Sequence, residues 1–220
     1  QNANLSNIEF KNANILTMNL QEKFDVILNI GVLHHLSDAE AGLKNLVNHL
    51  TTGGYLILWL YGAYGRFSLN LNQCLFKILF SKVPKLSKKV ALTKTFLSIG
   101  PKELLECHID EPTTTNEHNI KNNFLSSLKY AIEHESWLVD QFLHVHEKSF
   151  TIENILELLN KTGLKLTSWL GMDLMLANSV DDPEIAALFS SLTKIEQLMC
   201  IDLLNKPSYY LLAVQKTDCV

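Results

Sequence analysis

The chain has 220 residues, 47% of them hydrophobic and 19% charged, a balance that supplies a full globular core and excludes a disordered or fibrous chain. Its formal charge of -4 gives no overall pull toward nucleic acid, and its four cysteines, Cys74, Cys107, Cys200 and Cys219, are too scattered for a zinc or disulfide framework. No apolar run reaches the roughly 18 to 20 residues of a bilayer span, and Gln1 to Lys11 lack the basic and apolar regions of a signal peptide, so a cytoplasmic protein with no stable membrane insertion is expected.

Taken in chain order, Asn7 to Asn14 predicts a short strand, because Ile8 and Phe10 alternate with polar neighbours. The continuous apolar run Phe24 to Ile30 predicts an inner parallel strand covered on both faces by helices. Ser37-Asp38-Ala39-Glu40 reads as a helix start with Ser37 as cap, continued by Leu43, Leu46, Val47 and Leu50 and ended by Gly53-Gly54. Tyr55 to Tyr61 is then a second buried strand, which makes a parallel crossover unit. The loop Tyr61-Gly62-Ala63-Tyr64-Gly65-Arg66 follows that strand's carboxyl end, where ligands collect in open α/β sheets.

From Arg66 to about Trp137 the pattern is helical, interrupted by a polar stretch from Asp110 to Asn119. Thr151 is the expected cap of a helix running through Ile155, Leu158 and Leu159 to Gly163. A strand over Leu164 to Leu170, a helix carrying Ile195, Leu198 and Leu203, and a terminal strand over Tyr209 to Val214 complete the chain. The opening on Gln1, with a strand-like segment within ten residues, raises the expectation that sequence upstream belongs to the same domain.

The segment Phe24 to Leu36, ending Gly-Val-Leu-His-His-Leu, resembles the fourth strand and following loop of class I S-adenosylmethionine-dependent methyltransferases. In the same register Leu50-Thr51-Thr52-Gly53-Gly54-Tyr55-Leu56 is similar to that family's fifth-strand launch, and Asn7 to Ile15 resembles its third strand and adenine-side loop. Downstream, Val139 to His144, Phe150-Thr151-Ile152 and Gly163-Leu164 resemble a bacterial subgroup, some of whose members are fused to tetratricopeptide repeats. The resemblance implies an α/β fold: a doubly wound, Rossmann-like sheet, incomplete because the first two strands are missing, with a helical insertion after the fifth strand. It divides the chain into the end of the cofactor-binding core at 1–65, an insertion or lid at 66–148, and the last helices and strands at 149–220. The family's glycine-rich turn and ribose-binding acid have no counterpart here, which implies that this stretch alone binds S-adenosyl-L-methionine poorly.

The cofactor-binding residues implied are Asn14, Ile15, Asn29, Ile30, Gly31 and His34. Many family members have an aspartate where Asn14 stands, and its amide oxygen accepts a hydrogen bond less strongly because it is uncharged. Methyl transfer asks mainly that the acceptor be aligned with the S–CH3 bond and, if protonated, relieved of its proton. His34 is the candidate for that catalytic or positioning role; alternatively, His34 and His35 are an ordinary pair at a helix start, one buried and one solvated. Tyr61, Tyr64 and Arg66 either contact an unidentified acceptor, small molecule or protein, or pack as a turn capped by Arg66. His144 and His146 stand two apart beside Glu147, but without a third ligand no metal is expected. Between Arg66 and Lys102 there are eight basic residues and no acidic one, a solvated helix face or a basic lid. Leu69, Leu71, Leu75, Phe76, Leu79 and Phe80 in that stretch read as a core-facing stripe. The competing reading for the whole chain is a degenerate, non-catalytic module that binds a protein partner through the insertion.

Overall fold

The computed structural model describes residues 7–99, 129–170 and 182–217; the polar stretch expected from Asp110 to Asn119 lies outside them. Their strands are β1 (Phe24–Ile30), β2 (Leu50–Tyr61), β3 (Leu164–Leu170) and β4 (Tyr209–Lys216). They form one mixed sheet in the order β1-β2-β4-β3. β1 and β2 are parallel, whereas β4 runs antiparallel to both of its neighbours.

The crossover between β1 and β2 passes through a 3-10 turn (Leu33–His35) and α1 (Ala39–Asn48). Asp38, not Ser37, caps α1: its extended backbone aims the carboxylate at the Ala41 amide, 2.9 Å away. A carboxylate there also complements the helix dipole, and Glu40 is left to pair with Lys44. Nor does α1 run to Gly53-Gly54. It stops at Asn48, where Lys216 donates to the Val47 and Leu50 carbonyls, and the glycines lie inside β2. There the register with β1 jumps, Phe24 facing Leu50 and Val26 facing Tyr55, so residues 51–54 bulge.

α2 (Phe67–Leu79), α3 (Leu86–Ile99) and α4 (Glu135–Phe142) follow β2, then α5 (Ile152–Lys161) leads into β3 and α6 (Pro183–Ser191) and α7 (Lys194–Asn205) precede β4. Thr151 caps α5 as expected. One hydrophobic cluster joins α1, α5 and the sheet; a second joins α2, α3, the helical residues 129–133 and α4. The stripe expected on α2 is split: Leu69, Phe76 and Phe80 are buried, while Leu71, Leu75 and Leu79 are exposed on the other side of the helix.

Packing covers one face of the sheet. Leu56, Leu58 and Leu60 of β2 and Tyr210, Leu212 and Val214 of β4 are fully buried beneath α1 and α5. On the opposite face Val26, Leu28 and Ile30 are 55%, 68% and 51% exposed, beside Tyr55, Ile57 and Trp59. β1 is therefore an edge strand among the described residues, with one apolar face uncovered, rather than an inner strand packed on both sides. Residues 7–14 form no strand, and Phe10 is 94% exposed. Instead the chain just after them is held against α1, where Asn45 donates to the Ile15 and Met18 carbonyls, and the outer side of β1 stays unpaired among the described residues.

The second layer is fastened by a buried carboxylate. Asp202 of α7 accepts from the Tyr210 hydroxyl and, at 3.1 Å, from the Ile152 amide at the head of α5. Burial pushes its carboxyl above the usual range against the opposing pull of those two donors. Asp202→Ala orphans both and lowers stability by about 2 kcal/mol, read from urea unfolding midpoints; Tyr210→Phe costs about half as much.

Candidate functional site

The site lies where β1 and β2 both end, at the carboxyl edge of the parallel pair. β1 leaves the sheet through Gly31, whose φ of +71° is the left-handed conformation that side-chain-bearing residues rarely adopt. A Cβ on Gly31 would sit 3.9 Å from the Trp59 ring, so the backbone tip rests over that indole. Asn29 is turned into the packed face, level with Leu58, and its Oδ1 accepts from the Leu33 amide at 3.2 Å, which stiffens the 3-10 turn. Ile30 projects onto the uncovered face.

Asn14 and Ile15 form a turn that packs against α1. Asn14 Oδ1 accepts from the Leu16 amide at 2.9 Å, and the Ile15 and Met18 carbonyls accept from Asn45 Nδ2. His49 completes the clamp: its Nε2 accepts from the Leu20 amide at 2.9 Å, while its Nδ1 lies 2.7 Å from the Asn45 carbonyl.

His34, Tyr61 and Arg66 form a continuous stack. The His34 and Tyr61 ring centroids are 3.9 Å apart, and the Arg66 guanidinium lies 3.5 Å above the Tyr61 ring, a cation–π contact. Arg66 is fully buried and forms an ion pair with Glu147 at 3.0 Å, with Gln141 Oε1 accepting at 3.4 Å. It thus pins the segment after α4 to the end of β2. The same segment is stitched there by its backbone: Lys148 N donates to the His34 carbonyl, Phe150 N to the Tyr61 carbonyl, and Ala63 N to the Phe150 carbonyl. A Cβ on Gly62 would fall 2.0 Å from the Pro207 carbonyl oxygen, so the loop after β2 comes that close only with glycine. Tyr64 is half-buried in the same loop.

His34 is wholly covered, between His35, Trp59 and Tyr61. Neither ring nitrogen has a well-formed hydrogen-bond partner, and only a backbone contact at Trp59 favours the charged ring. Burial first, then the nearby His35, Arg66 and His144, bring its pKa down to about 3. The imidazole is neutral at physiological pH and, with its pKa held so low, a weak base. Of the predicted residues, His34, Tyr61 and Arg66 come together, with Gly31 near them through Trp59; Asn14 and Ile15 sit on the α1 side. The pairing of Glu147 and Gln141 with Arg66 went unread in the sequence, because it spans some eighty residues and has no local signature. A cavity of about 570 Å³ lies nearby, lined by Ser37, Asp38, Lys77, Lys148, Glu157 and Lys161 among others, and by none of the predicted site residues.

Residues 1–56 match the family model of a methyltransferase domain. An uncharacterized protein of Synechococcus sp. is 41% identical over 54 residues, which is 24% of this chain and 13% of that protein. PKMT2 from Rickettsia typhi superposes with a TM-score of 0.61 at 17% identity, and its structure in complex with AdoHcy with 0.63 at the same identity; each alignment covers 98% of this chain and 40% of the other. The chain thus spans a small part of its curated relative and well under half of PKMT2. At 17% identity the superposition establishes the fold, and the match over residues 1–56 bears out the class I methyltransferase resemblance read from the sequence.

Two outcomes test the site. Glu147→Ala leaves the Arg66 charge buried without its carboxylate and costs about 3 kcal/mol in urea unfolding, while the double variant Arg66→Met, Glu147→Leu recovers most of that loss. His34 has a folded pKa below its unfolded one, so the unfolded chain binds the extra proton between about pH 6.5 and 3. Stability therefore falls as pH drops through that window, with a slope of up to about 1.4 kcal/mol per unit that His34→Phe removes, as urea midpoints at pH 7, 6 and 5 would register.

Proposed function

We propose that this chain is the carboxyl-terminal part of a methyltransferase domain that binds S-adenosyl-L-methionine at the tip of β1 and transfers its methyl group to an acceptor, small molecule or protein. The observation that carries the reading is the backbone tip Asn29–Gly31, which ends at the carboxyl edge of a parallel pair, beside an uncovered apolar sheet face, within the residues matching a methyltransferase domain. AdoHcy, found with the similarly folded PKMT2, is what S-adenosylmethionine becomes once its methyl group has gone.

The uncovered face supports a second element of the reading. A row of Val26, Leu28 and Ile30 left in water at a sheet edge is unfavourable and invites pairing. Strands and helices supplied from outside these residues fit that edge and face, and would bring the glycine-rich turn and ribose-binding acid that the cofactor needs. S-adenosylmethionine brings an already activated methyl group. The chain's own residues then have limited duties: Gly31 lets the backbone approach, Trp59 supports that backbone from beneath, and His34 holds the Tyr61 stack in place as a positioning residue. Tyr64, half-buried where Tyr61 and Arg66 are buried, is placed to meet the acceptor. Such a protein works in the cytoplasm, and no helix among the described residues is long and apolar enough to cross a membrane.

Calorimetry on the full-length protein tests this. S-adenosylmethionine is expected to bind one per chain, and Gly31→Val, which strains a backbone at φ +71°, to weaken it at least tenfold. This stretch alone should bind far more weakly. Absence of binding to the full-length protein, or indifference to Gly31→Val, would contradict the proposal.

A further inference from the structure

A second chemical cluster stands beside the stack, and the methyl-transfer reading does not use it. His35 Nε2 lies 3.9 Å from Asp140 Oδ1, and the His144 ring stacks on His35 with centroids 3.9 Å apart and planes 29° apart. One donor atom from each of the three falls within 4.8 Å of the others. Two imidazoles and a carboxylate are a donor set that suits a first-row transition metal, zinc in particular.

The surroundings prepare each donor. His35 Nδ1 is 3.3 Å from the His146 carbonyl oxygen, which can only accept; that contact places the proton on Nδ1 and leaves the Nε2 lone pair facing Asp140. Asp140 spends Oδ2 on the Gln141 amide at 2.9 Å and keeps Oδ1 for the cluster. His144 Nδ1 is buried with no hydrogen-bond partner, an orphaned nitrogen of the kind that coordination satisfies. Metal bonds of about 2.1 Å set donors about 3.4 Å apart in a tetrahedron, so modest side-chain rotations would complete the geometry.

We propose that His35, Asp140 and His144 bind one divalent transition-metal ion, zinc by chemical preference, with the fourth position open to water or to a donor from a bound molecule. In the sequence His144 and His146, two apart, made no metal site; the fold instead joins His144 to Asp140 and to His35, more than a hundred positions earlier. The ion would clip the 3-10 turn that carries His34 to the end of α4. Metal binding and cofactor binding are separate measurements, so one can fail without the other.

The test is titration of the chelator-treated, dialysed full-length protein with cobalt(II), followed by its visible d–d absorption. One equivalent is expected to develop the band and zinc to bleach it. His35→Ala and His144→Ala should abolish the band, and Asp140→Asn, the mildest change, should weaken binding at least tenfold with the fold intact by circular dichroism. His146→Ala, which keeps the backbone carbonyl, should leave it unchanged. No band in the wild-type protein, a band that survives loss of both His35 and His144, or equal loss in His146→Ala overturns the proposal.

Discussion

The parallel pairing of β1 with β2 fixes the rest of this structure. Once Ile27 stands beside Leu56 and Asn29 beside Leu58, period-two alternation sends Leu56, Leu58 and Leu60 to the face packed by α1 and α5, and Val26, Leu28 and Ile30 to the other. A slip of one residue would exchange the two sets and expose the core. The same pairing puts both strand ends at one edge, so that Gly31 and Tyr61, thirty residues apart, arrive together with Trp59 between them.

The helical layer is attached to that edge by charge as much as by apolar contact. Arg66 lies fully buried, and a charge is tolerated there because Glu147, Gln141 and the Tyr61 ring surround it on different sides. The pair is a device for position: it holds the segment 147–150 against the end of β2, where the backbone of that segment bonds to His34, Tyr61 and Ala63. His34 stays neutral chiefly because it is buried, and His35 and this same cation add to the effect.

Much of the fold was legible in the sequence where a local pattern decides it. The apolar run from Phe24, the Thr151 cap and the strand over Leu164–Leu170 each carry their own period or capping chemistry, and each forms where expected. What failed depended on neighbours. The run Phe24 to Ile30 reads as doubly covered because five of its seven residues are apolar, yet covering a face takes helices that the described residues do not supply. Ile8 and Phe10 alternate as in a strand but do not join the sheet. Of the candidate site, the sequence offered the segment Asn29 to His34 and the loop 61–66, whereas Glu147, Asp140 and His144 were not tied to them, since side chains brought together across eighty to a hundred residues leave no spacing to read.

The account rests on the tip of β1 facing an adenosyl ligand. A crystal structure of the full-length protein with AdoHcy tests this most directly. The account predicts the ligand against the Asn29–Gly31 backbone, at the carboxyl end of β1; a ligand lodged elsewhere, or that tip sealed beneath packed side chains, would contradict it.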